Sequence, residues 1–145
     1  MNKKLILGLL IIALSILVIT SCGSTPPPEP APVKEQPKGL VLDGAANYTV
    51  VRGDTLADIA ASKYGGSNMY FFPLIRLANA GVVPDPDVIE VGTTLVIPNL
   101  QRNLDNPAAN GLVRVDMLAI ADRYERQSKP NAAATLRNLA TRISK

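Results

Sequence analysis

Residues 48–65 read "YTVVRGDTLADIAASKYG", and the fold turns on this stretch. Tyr48-Thr49-Val50-Val51 is a β-prone run with Tyr48 and Val50 on one face, and Gly53 ends it. Thr55-Leu56-Ala57-Asp58 has the form of a capping box, in which the threonine hydroxyl and the acid three residues on satisfy the free N–H groups of a first helical turn. A helix is therefore predicted. Leu56, Ile59, Ala60 and Tyr64 fall at helical spacing and make one buried face, and Gly65-Gly66 supplies a left-handed stop.

Downstream, a second helix is predicted from Tyr70 or Phe71, which leaves Pro73 in the first turn, where its missing N–H does no harm. Its inner face carries Phe72, Ile75 and Ala78, and Gly81 is expected to end it. After a proline-rich loop, Thr94-Leu95-Val96-Ile97 alternates as a second strand up to Pro98. The predicted order is strand, helix, helix, strand.

"YTVVRGDTLADIAASKYG" and "VIEVGTTLVIP" resemble the two ends of the LysM domain, and "FPLIRLAN" resembles its middle in the branch where a tryptophan-proline pair opens the second helix. Phe72-Pro73 stands in that place here. The resemblance covers residues 47–99. It implies an α+β fold, a βααβ module whose two-stranded antiparallel sheet carries both helices on one face. It also implies binding of glycans that contain N-acetylglucosamine, such as peptidoglycan and chitin, between the loop after the first strand and the loop after the second helix. Carried over to this chain, the glycan-binding candidates are Gly53, Asp54, Thr55 and Leu56 on the first loop. On the second they are Asn79, Ala80, Gly81 and Val82, which match only in position and in Asn79.

The residues themselves permit such a site. Gly53 to Leu56 is a strand-to-helix turn that offers backbone N–H groups and a hydroxyl near a helix N-terminus. Small residues after the second helix let a ligand approach the main chain, with Leu56 or Val82 against an acetyl methyl. A structural role stands beside the functional one: Asp54 and Thr55 cap a helix with or without sugar, and Asn79 can bridge its own loop. The chain has no Trp and six aromatic residues, fewer than sugar-stacking proteins usually carry. In "PDPDVIEVG", Asp85 and Asp87 lack the further oxygens of a calcium loop, so a turn and cap are expected there and no metal.

Upstream, residues 23–39 hold six of the twelve prolines and almost no large apolar side chain. This composition cannot bury enough surface to fold and favours extended polyproline geometry, so residues 22–46 are expected to act as a spacer. Ahead of it, Lys3-Lys4 precede an uncharged run from Leu5 to Thr20, about 24 Å long as a helix against a hydrocarbon core of roughly 30 Å. Residues 1–21 thus read as a signal peptide, with a retained transmembrane anchor as the alternative on length alone. Ile19-Thr20-Ser21-Cys22 resembles the bacterial lipobox, which implies that Cys22, the sole cysteine, carries covalent lipid and becomes the first residue. The expected localisation is the cell envelope, with the protein lipid-anchored in a membrane. Gly23, where an aspartate would retain the protein at the inner membrane in enteric bacteria, favours the outer membrane and its periplasmic face.

Residues 100–145 read as a helical hairpin. Asn106-Pro107 is a cap with proline at the first helical position, and Leu112, Val115, Leu118, Ile120, Ala121 and Tyr124 supply an amphipathic face. Ser128-Lys129-Pro130 resets the chain, and Ala134, Leu136, Leu139, Ala140 and Ile143 form a second stripe. Such a pair cannot bury its own faces. It either packs on the preceding module or offers residues 107–144 to an envelope protein partner.

Charge and chemistry narrow the function. Residues 23–99 carry a formal −3 and residues 100–145 a formal +4, too balanced for a nucleic-acid binder. With no histidine, and with Cys22 read as acylated, the commonest bases and nucleophiles are missing, so neither an enzyme nor a cofactor is expected. The sequence thus points to a binding protein that tethers membrane to cell wall. The other reading is an adaptor that uses the hairpin, with the LysM module as scaffold.

Overall fold

A computed structural model describes residues 38–143; Cys22, the signal segment and most of the expected spacer lie outside the described residues. Strand β1 (Ala46–Thr49) is followed by helix α1 (Leu56–Tyr64), a 3-10 turn (Gly66–Phe71), helix α2 (Phe72–Ala78) and strand β2 (Thr94–Ile97). The strands pair antiparallel with Ala46 opposite Ile97 and Thr49 opposite Thr94. The expected α+β order of strand, helix, helix, strand is observed, followed by further helices.

β1 lies two residues earlier than the β-prone run suggested. Regular pairing stops at Thr49 because the partner chain turns at Gly92, whose φ of +89° suits only glycine. Val50 still exchanges bonds with that turn: its N–H donates to the Thr93 carbonyl at 2.9 Å and its carbonyl accepts from Gly92 at 2.8 Å. Val50 is buried while Val51 faces solvent.

α1 begins on the expected Thr55 cap, but only half of the capping box forms, because the Asp58 carboxylate meets the Thr55 hydroxyl and not a backbone N–H. The Asp58 N–H donates to Thr55 Oγ1 at 3.1 Å and the Thr55 hydroxyl donates to Asp58 Oδ2 at 2.6 Å. Gly65, with φ +93°, ends it. α2 carries Pro73 in its first turn but stops at Asn79 and not at Gly81. The Asn79 side chain explains the difference. Its amide nitrogen donates to the carbonyls of Ile75 and Val96, each at 2.7 Å, and its oxygen accepts from the Val96 N–H at 2.8 Å. These bonds fasten the helix end to β2 and make a left-handed glycine stop unnecessary.

Phe72, Ile75 and Ala78 are buried as expected, but so are Pro73, Leu74 and Leu77, because a third layer covers the far side of α2. That layer comprises α3 (Leu100–Asp105), α4 (Pro107–Arg126) and α5 (Pro130–Arg142). α3 is not predicted by the sequence pattern. Asn99 caps it, and Asn103, fully buried, pins Val41 by accepting from its N–H at 2.9 Å and donating to its carbonyl at 2.8 Å. Residues from Leu40 onward are thus held against the fold, short of the Ala46 limit expected for the spacer.

α4 starts on the predicted Asn106 cap, whose side chain accepts from Ala108 and Ala109 at 3.0 Å each. Its buried face differs from the expected one. Ala109, Val113, Asp116, Met117, Ile120, Ala121 and Tyr124 point inward, whereas Val115 and Leu118 are exposed. In α5 the buried stripe is Ala133, Leu136 and Ala140, with Ala134 outside. One continuous apolar cluster runs from Leu56, Ile59 and Leu95 to Met117, Ile120 and Leu136. Of the two outcomes open to the hairpin, it packs on the preceding module.

Candidate functional site

The β1–α1 turn is built around Asp54. Its Oδ2 accepts from the Val51 N–H and from the Tyr48 hydroxyl, both at 2.8 Å. This carboxylate raises the Tyr48 phenol above its ordinary value, with desolvation adding to the shift. Gly53 adopts φ +95° in open space, so glycine serves the turn's dihedral rather than its clearance. The turn delivers Leu56 and Ala57 to the first turn of α1, where backbone N–H groups have no intrahelical acceptor.

A cavity of about 270 Å³ opens at this point. One side of the lining is Asp54, Thr55, Leu56 and Ala57, and Phe72 is also part of it. The opposite wall is Pro86, Asp87, Val88 and Ile89, and Tyr124 of α4 completes the lining. The apolar side chains among these give a surface for a methyl or a sugar face. The Asp54 carboxylate and the α1 N–H groups supply hydrogen-bond partners, whereas the Thr55 hydroxyl and both Asp87 oxygens are already bonded within the protein. This mixture suits a neutral, amphipathic ligand with hydroxyl and amide groups better than an anion.

The second wall is held from outside its own loop. Asp85 Oδ1 accepts from the Asp87 N–H at 2.9 Å, forming a local turn, while Arg123 Nη2 donates to Asp85 Oδ2 at 2.5 Å. The Tyr124 hydroxyl donates to Asp87 Oδ1 at 2.8 Å, and Lys129 Nζ donates to Asp87 Oδ2 at 3.2 Å while lying 4.7 Å from the Tyr124 ring centre. The Arg123 hydrogen bond holds the Asp85 carboxyl below its ordinary range. Burial, reinforced by Asp87, pushes the Tyr124 phenol well above its usual value.

Of the residues singled out from the sequence, Asp54, Thr55 and Leu56 line this cavity and Gly53 shapes the turn beside it. Asn79, Ala80, Gly81 and Val82 are not in its lining. Asn79 is buried with its amide committed to α2 and β2, and Val82 is exposed. The expected turn-forming role of Asp85 is observed, together with cross-links to α4 that sequence spacing could not reveal. Among the described residues, no group of three or more acidic or thiol side chains is placed to hold a metal ion.

Residues 48–98 match the LysM domain family. Over 58 residues the chain is 47% identical to an esterase of Mycobacterium tuberculosis strain H37Rv, covering 40% of this chain and 12% of that protein. Over 59 residues it is 37% identical to a secreted LysM effector of Passalora fulva, covering 41% of this chain and 23% of the effector. The chain thus spans less than a quarter of the length of either relative. No solved structure matches it significantly.

Proposed function

We propose that, starting from a LysM domain at residues 48–98, this chain is a non-catalytic envelope protein that binds peptidoglycan through the cavity between the β1–α1 turn and the Pro86–Ile89 loop. A LysM domain implies recognition of N-acetylglucosamine-containing glycans. The observation that carries the reading is the pairing of α1 N-terminal N–H groups with apolar walls in one small cavity. An N-acetyl group has the same two halves, a carbonyl that accepts and a methyl that does not. Single-site affinity should be weak, and retention would come from the many repeated sites of a wall polymer.

In this reading Cys22 carries the lipid that fixes the protein to a membrane. Several acyl chains, at about 0.8 kcal/mol per buried methylene, would make that attachment effectively permanent. Gly23 favours the outer membrane, and residues 23–39 separate bilayer from wall. The adaptor alternative is weakened by the hairpin, whose apolar stripe is occupied by the LysM core. The full chain in detergent should sediment with purified peptidoglycan sacculi and be released by excess chitotetraose. Mass spectrometry of native material should find Cys22 acylated. Free protein in the supernatant would refute the glycan part, and an unmodified thiol the anchor.

A further inference from the structure

We propose that the glycan-gripping unit is larger than residues 48–98: α4 completes the groove, with Tyr124 forming part of its wall and positioning the opposite loop through Asp87. The proposal rests on the glycan reading above and adds to it a residue outside the matched domain.

The loop between α2 and β2 contains no regular element from Asn79 to Thr93. Its ends are tied within the LysM module: Val82 and Val83 donate to the Asn79 carbonyl at 2.9 and 2.7 Å, and Gly92 donates to the Val50 carbonyl at 2.8 Å. Its middle, which supplies one wall of the cavity, is tied differently. Among the described residues, every side-chain hydrogen bond leaving Pro84–Val91 ends on the hairpin, at Arg123, Tyr124 or Lys129. Pro86 is buried and Ile89 packs against the core, so losing those partners would loosen the Asp85–Val88 part of the wall, and the cost of ordering it would fall on ligand binding.

Tyr124 has both a direct and an indirect part. Its ring lines the cavity together with Leu56 and Phe72, and its hydroxyl fixes Asp87 across the groove. Lys129 covers the ring and neutralises Asp87, so the far end of the groove is closed by a satisfied cluster. α4 is itself fastened to the module by the Arg76–Asp116 ion pair and by its buried Val113, Met117 and Ile120, so the position of Tyr124 follows from the core.

The test uses the full chain and chitotetraose as probe. Tyr124→Phe keeps the ring and removes the hydroxyl, while Arg123→Ala cuts the second tie and Arg123→Lys retains its charge. The expected result is affinity weaker by about three- to ten-fold for Tyr124→Phe and for Arg123→Ala, with Arg123→Lys recovering most of the loss. The unliganded melting midpoint should fall by no more than a few degrees, and the Tyr124 ring-proton resonances of the unsubstituted chain should shift on titration. If the unsubstituted chain binds but the variants bind equally well and the ring stays silent, the proposal is overturned and the glycan reading survives. If the unsubstituted chain binds no chitotetraose, both fall.

Discussion

Among the described residues, the LysM module and the helical hairpin meet at two ionic junctions that behave in opposite ways. Behind α2, Arg76 and Asp116 form a bidentate pair whose side chains are 17% and 11% exposed. At the groove, Arg123 and Asp85 pair with side chains 32% and 34% exposed, and Lys129 reaches Asp87 beside them. Burial outweighs the arginine at the first junction and raises the Asp116 carboxyl, whereas the Arg123 hydrogen bond prevails at the second and lowers that of Asp85. Solvent access decides the difference. The inner junction is one whose breakage leaves a charge stranded in the core, and the outer one holds a loop in place at little cost to the fold.

The largest effect expected from breaking this contrast is at Arg76. Arg76→Ala strands Asp116 and should cost about 3 kcal/mol, lowering the melting midpoint by on the order of 10 °C. Arg76→Met with Asp116→Leu should recover most of that, since two matched apolar groups need no pairing. Arg123→Ala should cost at most about 1 kcal/mol of stability while weakening chitotetraose binding. Calorimetric unfolding of the unliganded variants, set beside their binding isotherms, separates the two junctions.

Titration sharpens the contrast. Asp85, with a folded pKa below its ordinary 3.8, contributes stability above that value and loses it as the pH falls through the lowered one. Asp116 runs the other way. Its folded pKa lies above 3.8, so the fold binds its proton more tightly and stability falls as the pH rises from 3.8 through the raised value. In urea unfolding series between acid and neutral pH, Asp85→Asn should remove the first slope and Asp116→Asn the second. The smallest effect belongs to Arg137, which bridges Asp122 and Glu125 wholly within the hairpin at an exposed surface. Arg137→Ala should leave melting and glycan binding unchanged within error.

What could be read from the sequence follows the range of the forces involved. The strand, the capped helix and the proline-opened second helix are written in local spacing, and they appear where those signals placed them to within a few residues. The turn that carries Asp54, Thr55 and Leu56 is legible for the same reason, since it is one short stretch, and the resemblance also names the loop after α2. Which part of that loop faces the cavity is not legible from sequence: the Asn79 side chain is spent on α2 and β2, and Pro86–Ile89 line the cavity. The ties that set this wall span 37 and 38 positions in sequence, from Asp87 to Tyr124 and from Asp85 to Arg123. α3 carries little sequence signal because "LQRNLD" is one short, polar turn and a half, and the inward face of α4 is disguised because the inward Asp116 carries a charge while the outward Val115 is apolar.

The central claim is that sugar lies between the first turn of α1 and the loop that α4 holds opposite it. Backbone amide shifts of the labelled full chain, followed during titration with chitotetraose, test this most directly. The account predicts saturable shifts concentrated at Thr55, Leu56, Ala57, Asp87, Val88 and Ile89, with little change at Ala80, Gly81 and Val82. Shifts centred on those three residues, or a spectrum that does not move at millimolar sugar, would contradict it.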